Sequence, residues 1–142
     1  MRVTFVKTIG NRDRVYVRFA DGREKSWPFP TYGEHLPHDC VHLIVERAFA
    51  IADGVWGHVE RGGEFGKTEP LYVAEIFANA PWLRPEEGDV REYIERELAQ
   101  RGHALPENVT AERVETARAQ IAKATEDWRA LADRGALVFE YP

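Results

Sequence analysis

Arg14-Val15-Tyr16-Val17-Arg18-Phe19-Ala20-Asp21-Gly22-Arg23-Glu24-Lys25-Ser26-Trp27-Pro28-Phe29 decides the fold class. Val15, Val17 and Phe19 recur at every second position, the period of a strand with one buried face. Asp21-Gly22 follows at once, and this dipeptide tolerates the positive φ angles of a tight hairpin turn. Glu24 to Phe29 therefore reads as the returning strand, and Pro28 and Pro30 mark its end or an edge position. Working back towards the N-terminus, Val3, Phe5 and Lys7 alternate with Thr4, Val6 and Thr8, and Gly10-Asn11-Arg12-Asp13 supplies a turn before Val15. Residues 1–30 are thus predicted to be a three-stranded antiparallel meander.

Working forward, the period changes. Pro37 suits the first turn of a helix, and Val41, Ile44, Val45, Ala48 and Ala52 form a stripe at helical spacing. This predicts a helix from His38 to about Ala52 with His38 and His42 on the margin of its core face. Residues 53–67 hold five of the eleven glycines and read as a loop with at most a short helical turn around Val55–Val59. Thr68 would cap a helix ending before Pro81, with Leu71, Ala74, Ile76 and Phe77 available to pack. Val90, Ile94 and Leu98 give another helix, stopped by Gly102. Thr110 opens the longest, whose seam is Val114, Ala117, Ile121, Ala124, Trp128 and Leu131. Residues 136–141 read as a last strand. The expectation is a single α+β domain over residues 1–142: the meander and the final strand packed on about four helices that occupy 37–132.

Composition bounds the function. The 142 residues carry 44% apolar and 30% charged types, the balance of an ordinary soluble globular protein. The chain has no run of 18 apolar residues to span a membrane, and its first residues lack a signal peptide's apolar segment, so a cytoplasmic setting of bacterial type is expected. A net charge of −5 without a basic run argues against nucleic acid as a partner. The single cysteine, Cys40, excludes an internal disulfide and a thiolate metal cage, and reads as a buried structural thiol. The single serine, Ser26, falls in a predicted strand, which excludes a serine nucleophile elbow.

One anomaly remains: four of the five histidines lie between residues 35 and 58. His38 and His42 stand at i and i+4, so two imidazoles can converge on one divalent ion such as Zn, Fe or Ni. Asp39 lies between them, where the H-E-x-x-H motif has its glutamate base, and is the candidate catalytic residue. A third ligand must come from elsewhere. Glu64 in the glycine-rich loop is the first choice, followed by Glu46, His58 and His35. Glu46 continues the row His38–His42 but is expected to point further towards solvent. Trp56, between two glycines, is a candidate wall for a small-molecule pocket.

The residues Leu36-Pro37-His38-Asp39-Cys40-Val41-His42-Leu43-Ile44-Val45-Glu46, then Gly54-Val55-Trp56-Gly57 and Gly62-Gly63-Glu64-Phe65, resemble a group of small bacterial proteins with the pattern L-P-H-D-x-x-H-x-x-V-E, G-x-W-G and G-x-E-F. The resemblance covers about thirty residues plus the preceding strands; it implies that His38, Asp39, His42 and Glu64 form one site, and it supplies no reaction. A looser similarity is to a ubiquinone-biosynthesis family whose H-D-x-x-H segment is followed by a glutamate twelve residues after the second histidine. Gly54 occupies that position here, so that ligand set does not carry over. Two functional classes follow. One is a metal-binding protein with hydrolase-like chemistry on these residues. The other is a non-enzymatic interaction module, a homodimer through the meander edge and the exposed side of the 110–132 helix, whose histidines are structural.

Overall fold

The computed structural model describes residues 1–29, 33–65 and 72–142. It is an α+β protein with four antiparallel strands: β1 (Arg2–Val6), β2 (Arg14–Arg18), β3 (Glu24–Pro28) and β4 (Ala136–Glu140). Among the described residues, five α-helices lie between β3 and β4: α1 (His38–Ala48), α2 (Val55–Glu60), α3 (Tyr72–Asn79), α4 (Val90–Ala99) and α5 (Ala111–Ala130), with a 3-10 turn at Pro85–Glu87. Thr68, the expected cap before α3, lies outside the described residues. Among the described residues no helix is long and apolar enough to cross a membrane.

The chain divides into two units, residues 1–40 with 123–142 and residues 41–122; the division falls within α1 and within α5. The first unit holds the sheet, in the order β3-β2-β1-β4. Phe5 faces Val15 on one neighbour and Leu137 on the other, and Val3 faces Val17 and Phe139, so the alternate residues picked out by period two share one face. Val3, Phe5, Val15, Val17, Phe19 and Phe29 are buried there, and the Phe5 ring meets those of Phe29 and Phe139 edge-on with centroids 6.2 and 6.0 Å away. The opposite face carries charge pairs such as Arg2–Glu140, with Tyr16 and Val138 exposed on either side of Thr4. Lys7 continues the buried side of β1. Its ammonium donates to the carbonyls of Trp128 and Arg129 at 3.0 and 3.4 Å, in the last turn of α5, where the outward carbonyls and the helix dipole favour a cation.

The second unit is helical. Leu43, Ile44, Val45, Phe49, Trp56, Phe77, Trp82, Ile94 and Leu98 are buried in it, and the Phe49 and Phe77 rings pack at 5.0 Å. Asp89 caps α4 by accepting from the Glu92 amide at 2.9 Å, and Thr110 caps α5 by accepting from Arg113 at 3.2 Å. The α5 seam is buried through Val114, Ala117 and Ile121 in this unit and Ala124 and Trp128 in the other, while Leu131, its last expected member, lies just past the helix end and is half-buried.

Helix α1 departs from expectation in two ways. It stops at Ala48, not near Ala52. Ala50 adopts φ 52°, the Ala50 amide donates to Arg47 O at 3.4 Å, and the Ile51 amide donates to Glu46 O at 2.9 Å. That pair of bonds is a Schellman stop with alanine in the left-handed position usually held by glycine. Its buried face is also rotated from the apolar stripe: Val41 and Ala48 are only half-buried and Ala52 is exposed, whereas His42 and Glu46 are each 1% exposed. An apolar-only count places polar residues outside the core by definition. These two are inside because each finds partners there.

Candidate metal centre

Three side chains come together around the start of α1. Among the described residues, His38, His42 and Glu75 each offer one ligand atom, all within 4.8 Å of one another, a set that could hold a metal ion. His38 and His42 are one turn apart on α1, which directs both imidazoles the same way. Glu75 comes from α3, and its Oε1 lies 3.2 Å from His42 Nε2. Asn79, one turn further along α3, donates from Nδ2 to Glu75 Oε2 at 3.2 Å and so holds the carboxylate from its far side. The burial is graded: His42 is enclosed, His38 half-buried, and the Glu75 side chain 49% exposed. A centre built this way is anchored in the protein on one side and open on the other.

Beneath it lies a buried carboxylate. Glu46, the next residue in the row His38–His42, has a side chain with no exposed surface. Its Oε1 accepts from the Val55 amide at 2.7 Å, and its Oε2 accepts from Trp56 at 2.9 Å and Gly57 at 3.3 Å. These are the first amides of α2, whose own N-cap, Gly54, has no side chain to offer them. Glu46 is thus a cap supplied from another helix, with the charge on the favourable end of the α2 dipole. Gly54 is required by the approach: a Cβ there would fall 2.1 Å from Glu46 Cδ. On its other side, Glu46 Oε1 lies 3.7 Å from His42 Nδ1.

The remaining candidates fall around this arrangement. The expectation that Glu46 points to solvent is corrected by its burial, and both its oxygens are committed to amides. Glu64 is exposed in the loop after α2; among the described residues, the carboxylate grouped with the two histidines is Glu75. His58 is half-buried on α2 and packs under Gly63, where a Cβ would fall 2.0 Å from His58 Nε2. His35 is exposed ahead of α1. Trp56 is fully buried, its amide on Glu46 and its ring 6.2 Å from that of Phe65. Asp39 is half-buried in the first turn of α1, where its charge complements the dipole. Cys40 is buried, and desolvation, followed by the nearby Asp39 charge, pushes its thiol well above the usual range. A buried thiol held neutral is a poor nucleophile.

Sequence reasoning missed Glu75 because it lies 33 positions after His42 and no periodicity says which helices pair. The available signal was the acid and amide at i and i+4, Glu75 and Asn79, on a helix otherwise rich in buried apolar residues. Comparisons with protein-family models, curated proteins and solved structures find no match to the chain.

Proposed function

We propose that this protein binds one divalent metal ion through His38, His42 and Glu75 and uses it for hydrolase-like chemistry. The observation that supports the reading is the convergence of two imidazoles and one carboxylate within 4.8 Å, two ligands fixed by one helix and the third delivered by another. Two histidines and a carboxylate leave coordination positions open, as catalytic rather than structural sites do. Nitrogen and oxygen donors with no thiolate suit zinc, iron(II) or nickel. A metal in such a site supplies Lewis-acid activation of a water or a substrate oxygen. Asp39, next to His38, is the residue we assign to proton transfer, and the exposed side of Glu75 is where a small-molecule substrate would enter. The proposal keeps the cytoplasmic, bacterial-type setting and the motif group suggested by the sequence.

Metal analysis of protein purified without a histidine tag tests the reading. About one equivalent of metal is expected in the native chain and a clear loss in His42→Ala and Glu75→Ala. Equal, substoichiometric metal in all three would overturn it. With binding established, Asp39→Asn is expected to keep the metal and lose hydrolysis of activated ester or phosphodiester substrates.

A further inference from the structure

We infer that Glu46 is a positioning residue for His42, selecting Nε2 as the nitrogen that meets the metal and holding the proton on Nδ1. The inference rests on the metal reading above and deepens it. An imidazole binds a cation through one unprotonated nitrogen, and the partner of the other nitrogen decides which one that is. His42 is bracketed in this sense. Its Nε2 faces Glu75 Oε1 at 3.2 Å, on the side of the three-residue group, and its Nδ1 faces Glu46 Oε1 at 3.7 Å. The second distance is about 0.7 Å beyond an ordinary N–H···O bond, so the two groups face each other as an electrostatic pair in a buried setting.

Glu46 suits this role because it is held in place. Both oxygens are held by the α2 amides, its side chain has no exposed surface, and the Gly54 backbone closes over it. It is therefore fixed where a ligand would need to swing. Its carboxylate accepts from three amides and faces the Nδ1 side of the His42 ring, where a negative oxygen favours the proton. The same carboxylate that starts α2 orients the deeper of the two histidines, so the α2 N-terminus and the metal centre share one anchor.

The test uses zinc as the probe. In the zinc-loaded native protein labelled with 15N-histidine, long-range proton–nitrogen correlation is expected to show His42 metal-bound at Nε2 and protonated at Nδ1. The opposite assignment overturns the inference. Glu46→Gln is isosteric and presents an amide that can itself donate to Nδ1. Folded Glu46→Gln is expected to bind zinc about 10- to 100-fold more weakly and to alter the visible spectrum of the cobalt-substituted protein. Gly54→Ala, which displaces Glu46 without changing any ligand, is expected to do the same. Unchanged affinity and spectrum in either folded variant would overturn the inference. Where neither variant folds, the native nitrogen assignment decides. Failure of the native chain to bind zinc, cobalt, iron or nickel at all would overturn the metal reading, and this inference with it.

Discussion

Lys7 and Glu46 are buried charged side chains, each set at the end of a helix in a different unit, with opposite sign and a different consequence. In the sheet unit, Lys7 is 6% exposed and its ammonium rests on carbonyls at the C-terminus of α5. In the helical unit, Glu46 is 1% exposed and its carboxylate rests on amides at the N-terminus of α2. Both obey one rule: a buried charge is stabilised by backbone dipoles of the right sign. They differ in what lies on the far side. Beyond Lys7 are the Glu34 carboxylate at 3.5 Å, 67% exposed, and the Trp128 ring at 5.8 Å. Beyond Glu46 is His42, and beyond His42 are Glu75 and His38. One charge completes a fold; the other completes a fold and faces a chemical group.

The largest effect that would break this comparison is loss of the Glu46 carboxylate. Glu46→Ala leaves three amides at the start of α2 without their acceptor and opens a void beside His42. Destabilisation of about 3 kcal/mol or more is expected, read by urea unfolding and accompanied by loss of amide-exchange protection at Val55–Gly57. A cost below about 1 kcal/mol would mean that the carboxylate is not the cap that holds α2. Lys7→Met comes next. It keeps the apolar stem but removes the donor shared by two carbonyls, of which Trp128 O retains the Leu131 amide at 3.2 Å, for an expected cost of about 1–3 kcal/mol, with zinc affinity unchanged. A loss of zinc affinity in that variant would erase the distinction between the two buried charges.

The two regions also differ in how far the sequence discloses them. The meander is legible because its cause is local: Val15, Val17 and Phe19 alternate, Asp21-Gly22 turns the chain, and the observed pairing follows from those residues. The α5 seam is legible for the same reason at the helical period. His38 and His42 are legible as a pair because a helix fixes the relation of i to i+4. Glu46 and Glu75 are not. Burial of Glu46 depends on Gly54 coming close enough to leave no space for a side chain, a contact eight residues away that no apolar count registers. Glu75 depends on a pairing of helices that is set by tertiary packing. Patterns reveal elements and their faces, whereas a site assembled from three helices depends on relations between them.

Cys40 supplies a neutral counterpart to the two charges. Burial and the Asp39 charge raise its folded pKa above the ordinary value of 9.0, so the native thiol keeps its proton where the unfolded thiol would lose it. The native state then binds more protons than the unfolded state at alkaline pH, and the linkage slope is negative. This contribution to stability is full below the unfolded pKa and falls as pH rises above about 9. Cys40→Ala should flatten that alkaline decline, and the native thiol should react with a disulfide reagent only as fast as the protein opens. Rapid labelling of the folded chain at pH 8 would contradict the buried, protonated thiol.

The smallest expected effect separates the backbone of Glu46 from its carboxylate. Ala50 holds φ 52° in the stop that ends α1, where the Ile51 amide donates to Glu46 O. A side chain in the left-handed region costs about 1–2 kcal/mol, part of which glycine returns through the greater freedom of the unfolded chain. Ala50→Gly is therefore expected to stabilise the protein by about 0.5–1 kcal/mol, a rise in Tm of about 2–4 °C for a domain of this size. It should leave zinc affinity unchanged, because the Glu46 side chain is fixed by α2 and Gly54 rather than by the turn. If Ala50→Gly instead weakened zinc binding, the end of α1 would be controlling the carboxylate. The anchor of the metal centre would then lie in the Schellman stop and not in the α2 amides.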